Sequence, residues 1–233
     1  LGNFEGARVD KASKRSLFPA IHGAFGVGML LGAAVASWLI DHSVSITVSF
    51  LWIGAFAAVT SILIGLAFPR REKLVETAKT STSFSTLKAW GEKRSLLLAV
   101  IGFSFIMAEV GAGIWVPLAL KANGYTGAEA AAAFGVFWIA ITITRLIGGY
   151  LVDLIGRFRT VLFSAITTAI GMVVFITSQA TGLPHLGLVL WGLGIALGFP
   201  MVVASMGDDQ AKAAARVNMI ITVVYISSIS VGP

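Results

Sequence analysis

AEAAAAFGVFWIAITITRLIGGYLVDLIGRFR, residues 128–159, is the stretch on which the reading of the chain turns. From Ala128 to Ile155 it is almost wholly apolar, and it is long enough at about 1.5 Å per residue to cross about 30 Å of hydrocarbon. In such a setting the backbone polar groups must be bonded within the segment, so the stretch is predicted to be a helix. One cation, Arg145, lies inside the run, and two more, Arg157 and Arg159, follow directly after it. Outward from this stretch the pattern repeats. Further apolar runs cover Phe18–Ile40, Ile46–Phe68, Leu96–Leu120, Val161–Ala180, Leu186–Met206 and Val217–Pro233. The 233 residues are 57% hydrophobic and 12% charged, with mean hydropathy +0.89. A soluble domain is about 45–50% apolar and about 25% charged, so the composition predicts an all-α, polytopic membrane bundle of about seven helices.

The net charge of +6 would be compatible with a nucleic-acid partner, but its placement argues against one. Of the 17 Lys and Arg, fifteen fall in alternate connections: Arg8, Lys11, Lys14 and Arg15; Arg70, Arg71, Lys73, Lys79, Lys88, Lys93 and Arg94; Arg157 and Arg159; Lys212 and Arg216. The other connections hold only Lys121. Cationic loops on one face mark the cytoplasmic side, so the basic surplus is topological. No cysteine is present, which excludes a disulfide framework and a zinc–thiolate centre. No metal site and no cofactor are expected. The start at Leu1 and the end within an apolar run are those expected of a piece of a longer chain.

Residues 69–95 stand out as a long basic connection with a Ser/Thr-rich stretch at Thr80–Thr86. They are expected to be a cytoplasmic linker between residues 1–68, with two spans, and residues 96–233, with five. Its second half, Thr86–Arg94, is either an interfacial helix with Trp90 at the headgroup level or a solvated tether.

Two ionisable side chains lie deep in the apolar runs, Glu109 and Arg145. A charge near the bilayer centre costs at least about 2.5–3.5 kcal/mol and needs a partner or a wet cavity. Counted from the cytoplasmic ends, Glu109 lies about 20 Å deep and Arg145 about 12 Å, an offset that two extended side chains can span between adjacent helices. The pair is read either as a structural ion pair or as a substrate and proton site. Around Glu109 the helix is rich in small residues, Ala108, Gly111, Ala112 and Gly113, followed by Trp115 and Pro117, a composition found where helices break at mid-membrane.

The fourth span ends Gly148-Gly149-Tyr150-Leu151-Val152-Asp153-Leu154-Ile155-Gly156-Arg157-Phe158-Arg159. Gly149 permits close packing, Asp153 can accept hydrogen bonds from a neighbouring helix N-terminus, and Gly156 permits a tight turn. This pattern resembles the loop motif of the major facilitator superfamily, with Leu154 and Phe158 where the family often has basic residues. Asn3-Phe4-Glu5-Gly6-Ala7, Pro19-Ala20-Ile21-His22-Gly23, Glu109 through Trp115-Val116-Pro117-Leu118, and Gly192-x-Gly194 through Gly198-Phe199-Pro200 are similar to a bacterial branch near fucose-permease-type sugar transporters. The resemblance implies helices five to eleven of a twelve-helix fold. It also implies a monomeric secondary transporter of the inner membrane that works by alternating access on a small, sugar-like solute, with protons as the coupling ion. Glu109, Arg145, Trp115 and His22 become candidates for substrate or proton coupling. Gly149, Asp153, Gly156 and Arg157 become candidates for a conformational gate. For His22 a hydrogen-bonded structural role stands beside the coupling role.

The remaining features are weaker. Gly28, Gly32 and Ala36 form a small-residue stripe that is expected to contact another helix. His42 and His185 are expected in solvated loops, and Asp208-Asp209-Gln210-Ala211 reads as a cytoplasmic turn. A membrane enzyme would need a metal cluster or a nucleophile–base pair that no spacing here supplies. A retinal protein would need a lysine in a late helix, and Val217–Pro233 has none.

Overall fold

Helices are the only regular elements among the described residues of the computed structural model, which are Ser13 and residues 16–67, 83–178 and 184–232. They run α1 (Phe18–Asp41), α2 (Ile46–Ala67), α3 (Ser83–Trp90), α4 (Lys93–Ala122), α5 (Gly127–Ile155), α6 (Arg157–Thr177), α7 (Pro184–Met206) and α8 (Gln210–Ser230). Six of these, α2 and α4 to α8, are long and apolar enough to cross a membrane. The described part of α1 contributes a shorter apolar stretch, Phe18–Gly32. The expected all-helical bundle is therefore present. The tracts 1–12 and 68–82, which carry the Asn3–Ala7 motif and most of the linker cations, lie outside the described residues.

Two compact units are distinguished, one of residues 1–27 with 81–233 and one of residues 28–80. In the smaller unit, α2 is apolar all round and its side chains are largely exposed. In the larger unit α7 is the axis: α4, α5 and α6 all pack along it. Lipid tails are as apolar as leucine, so burial alone gives little drive for helix association inside a membrane. Close packing must supply it, and small residues on α7 allow the approach. A side chain at Gly192 would meet the Phe137 carbonyl of α5, and one at Gly198 would meet the Phe105 ring of α4.

Several ends differ from expectation. α4 begins at Lys93, three residues before the apolar run, because Lys93 and Arg94 can extend to the polar end of the bundle while their backbone is helical. α8 begins at Gln210, well before Val217: the Asp209 carboxylate accepts from the Ala211 N–H at 3.1 Å and caps it. Asp209 thus starts a helix, and the expected turn is confined to residues 207–209. α3 ends at Trp90, four residues earlier than Arg94, and packs against α8 with Ala89 buried and Trp90 half-buried. Among the described residues, nothing stands within 4 Å of where a side chain on Gly28 or Gly32 would be. His185 lies in the first turn of α7 with its ring 6.5 Å from Tyr125, and His42 stacks on Trp38.

Candidate functional site

Arg145 and Glu109 meet. Arg145 Nη2 donates to Glu109 Oε2 at 2.7 Å, with the two side chains only 4% and 12% exposed. Arg145 Nε donates in addition to the Ala196 carbonyl at 3.0 Å. One guanidinium therefore ties α4, α5 and α7 together inside the membrane-spanning zone. The third tie, to a main-chain oxygen, has no signature in the sequence.

The other candidates distribute around this pair. His22 on α1 sits on the same face of α7 as Arg145, its ring 6.3 Å from Phe199, and its Nδ1 lies 3.2 Å from the Phe18 carbonyl one turn back. Trp115 is 49% exposed, and its Nε1 donates to the Val231 carbonyl at 3.2 Å, so it joins α4 to the end of α8 and stands apart from the ion pair. Two turns before Arg145 on the same face of α5, Trp138 Nε1 is buried without a hydrogen-bond partner. Among the described residues no group of three or more His, Asp or Glu could hold a metal ion.

The four loop-motif residues assemble at one end of the bundle. Ser16, just before α1, donates from its N–H to both Asp153 oxygens at 3.2 and 3.3 Å and from its hydroxyl to Oδ1 at 2.6 Å. Its carbonyl lies where a side chain on Gly149 would be, so only glycine leaves room for this contact. Gly156 closes α5 at φ 80, a conformation that glycine adopts without strain, and α6 starts at the next residue. Arg157 is thus in a helix, and its Nη1 donates to Asp208 Oδ1 at 2.6 Å. Asp208 also accepts from Arg94 at 2.9 Å. The ends that the charge pattern places on one face are therefore gathered at one end of the bundle.

The sequence reading passed over Glu92, one of three acids in the basic connection of residues 69–95. Its carboxylate accepts from Lys212 at 2.7 Å, from Arg216 at 2.8 Å and from the Ser95 hydroxyl at 3.0 Å. The i, i+4 spacing of Lys212 and Arg216 was the available signal. The hydrogen bond from Arg216, then that from Lys212, holds the carboxyl down at about 2 against an ordinary 4.5. A depressed carboxyl stabilises the folded state above its unfolded value, and the contribution is lost as pH falls through the folded one. The full-length protein should thus lose about 1 kcal/mol of stability in this partly exposed cluster as pH drops from 4.5 towards 2. Glu92→Gln should flatten that part of the melting profile, and an equally steep profile in the variant would contradict the assignment.

A model of the major facilitator superfamily matches residues 13–233. Over 240 aligned residues the chain is 26% identical to an uncharacterized MFS-type transporter of Yersinia pestis, covering 99% of this chain and 59% of that protein. The chain thus spans about three-fifths of the length of that relative. With the match running from before α1 through α8, and with the loop motif folded into a tight turn at the base of α5, the chain belongs to the major facilitator superfamily.

Proposed function

We propose that the full-length protein is a secondary transporter that moves a small, sugar-like solute by alternating access, with proton coupling at Glu109. The observation that carries this reading is the Glu109–Arg145 contact of 2.7 Å, a nearly buried ion pair joining three helices within the spans. Intramembrane charges are costly and are kept mainly where they handle ions or substrate. Protonation of Glu109 removes the charge that holds Nη2 of Arg145, while Nε keeps its tether to Ala196. The freed guanidinium face can then meet a solute, and Trp138 Nε1 supplies a further unengaged donor on the same side of α5. Family membership supports transport. The solute class rests on the branch resemblance alone.

In this reading α1 and α2 are the last two spans of an N-terminal bundle, residues 69–95 are the cytoplasmic linker, and residues 96–233 form most of the second bundle. The protein works as a monomer in the inner membrane. Gly149, Asp153, Gly156 and Arg157 latch the cytoplasmic end. The Ser16 contact to Asp153 is lost and remade as that end opens and closes.

The test is solute uptake by full-length protein carrying Glu109→Gln. Concentrative, pH-dependent uptake should fall by at least tenfold while exchange at equal solute concentrations survives. PH-dependent uptake at the wild-type rate would overturn the coupling role.

A further inference from the structure

α5 and α6 both pack along α7 but touch one another little, and between them an open groove of about 260 Å³ remains. Its walls are Ile147, Leu151 and Ile155 of α5 with Phe163 and Ser164 of α6, and Gly194 of α7 lies in its floor. Ile147 and Phe163 stand exposed at the rim, and Ser164 is buried. The lining of α5 extends from Thr144 to Ile155, about 16 Å or roughly one leaflet of hydrocarbon. At the cytoplasmic mouth, between the lining residues Ile155 and Thr160, come Gly156 and the first turn of α6, Arg157-Phe158-Arg159.

The charge at that mouth identifies the occupant. Asp208 is shared between Arg94 and Arg157. Arg159 is exposed and adds a further cation. Of the other acids at this end, Asp153 faces Ser16, Asp209 caps α8 and Glu92 pairs with Lys212 and Arg216; against Lys93, Arg94, Arg157, Arg159, Lys212 and Arg216 they leave the described residues of this end net positive. The uncapped first turn of α6 contributes its positive end in the same direction. Phe158, 80% exposed, is placed to enter the headgroup layer. Basic pockets between spans on the cytoplasmic side attract anionic lipid headgroups.

We propose that this groove binds one acyl chain of an anionic phospholipid, with its phosphate held at the Arg157–Arg159 turn. The site is independent of what solute the protein carries. The test uses full-length protein in nanodiscs of mixed phosphatidylglycerol and phosphatidylcholine, with retained lipid counted by native mass spectrometry. Wild-type protein should retain phosphatidylglycerol over phosphatidylcholine by about fivefold or more, and Arg159→Gln should lower that ratio about fivefold. Ser164→Phe, which fills the groove, should remove the retained lipid. If that variant does not fold, the wild-type ratio and Arg159→Gln still decide the matter. Equal retention of the two lipids overturns the proposal, as does a ratio unmoved by Arg159→Gln. So does the absence of any retained lipid, the outcome if the remainder of a longer chain covers the groove.

Discussion

Arg145→Met should destabilise the larger helical unit by about 3–5 kcal/mol, because it leaves the Glu109 carboxylate nearly buried and unpaired. The Ala196 carbonyl loses its donor in the same step. Methionine retains most of the volume and flexibility of the arginine stem, so the loss is one of charge compensation and not of a cavity. Removing both charges is a different matter. A buried pair exchanged for apolar groups of similar size is often close to neutral, so Glu109→Leu with Arg145→Met should recover to within about 1–2 kcal/mol of wild type. The measurement is a double-mutant cycle on full-length protein by reversible unfolding in mixed micelles, with a coupling of at least about 2 kcal/mol expected. Additive single effects would show that the two side chains do not depend on one another. Uptake by the double variant then separates structure from function: a merely structural pair leaves transport intact, and the proposed coupling site leaves a folded protein without concentrative uptake.

The parts of the fold that were legible are those set by periodicity and charge. Apolar length alone located the spans, and α5 ends at Ile155 as the quoted stretch implies, because Gly156 cannot continue it at φ 80. The pairing of Glu109 with Arg145 was legible from depth, since two opposite charges in hydrocarbon have few other ways to be compensated. Helix starts were less so. Gln210 and Lys93 begin helices inside charged sequence, where hydropathy has no edge to detect and a carboxylate such as Asp209 decides the boundary. Contacts to backbone atoms, Arg145 to Ala196 and Trp115 to Val231, were illegible because every residue carries a carbonyl. Composition marks small residues without naming the helix they meet: Gly187 and Gly194 pack against α6, at Phe175 and Thr168.

Gly171→Ala should carry a large packing penalty. The added methyl would overlap the backbone of Trp191 and Leu190, and backbone inside a packed helix cannot rotate away as a side-chain tip can. α6 would have to move off α7 along a contact that also includes Gly187 against Phe175 and Gly194 against Thr168, so the strain is shared over several turns. Overpacking a close interior commonly costs about 1–3 kcal/mol, and a contact of two helix backbones belongs at or above the top of that range. Gly135→Ala in α5 is the matched control: nothing among the described residues stands within 4 Å of its would-be side chain, and alanine gains up to about 1 kcal/mol over glycine in a helix interior. The two substitutions are chemically identical and should act in opposite directions on the unfolding midpoint of the full-length protein. Similar midpoints for both would mean that α6 and α7 are not held in backbone contact. The groove between α5 and α6, which depends on how closely α6 sits on α7, would then need a different geometry.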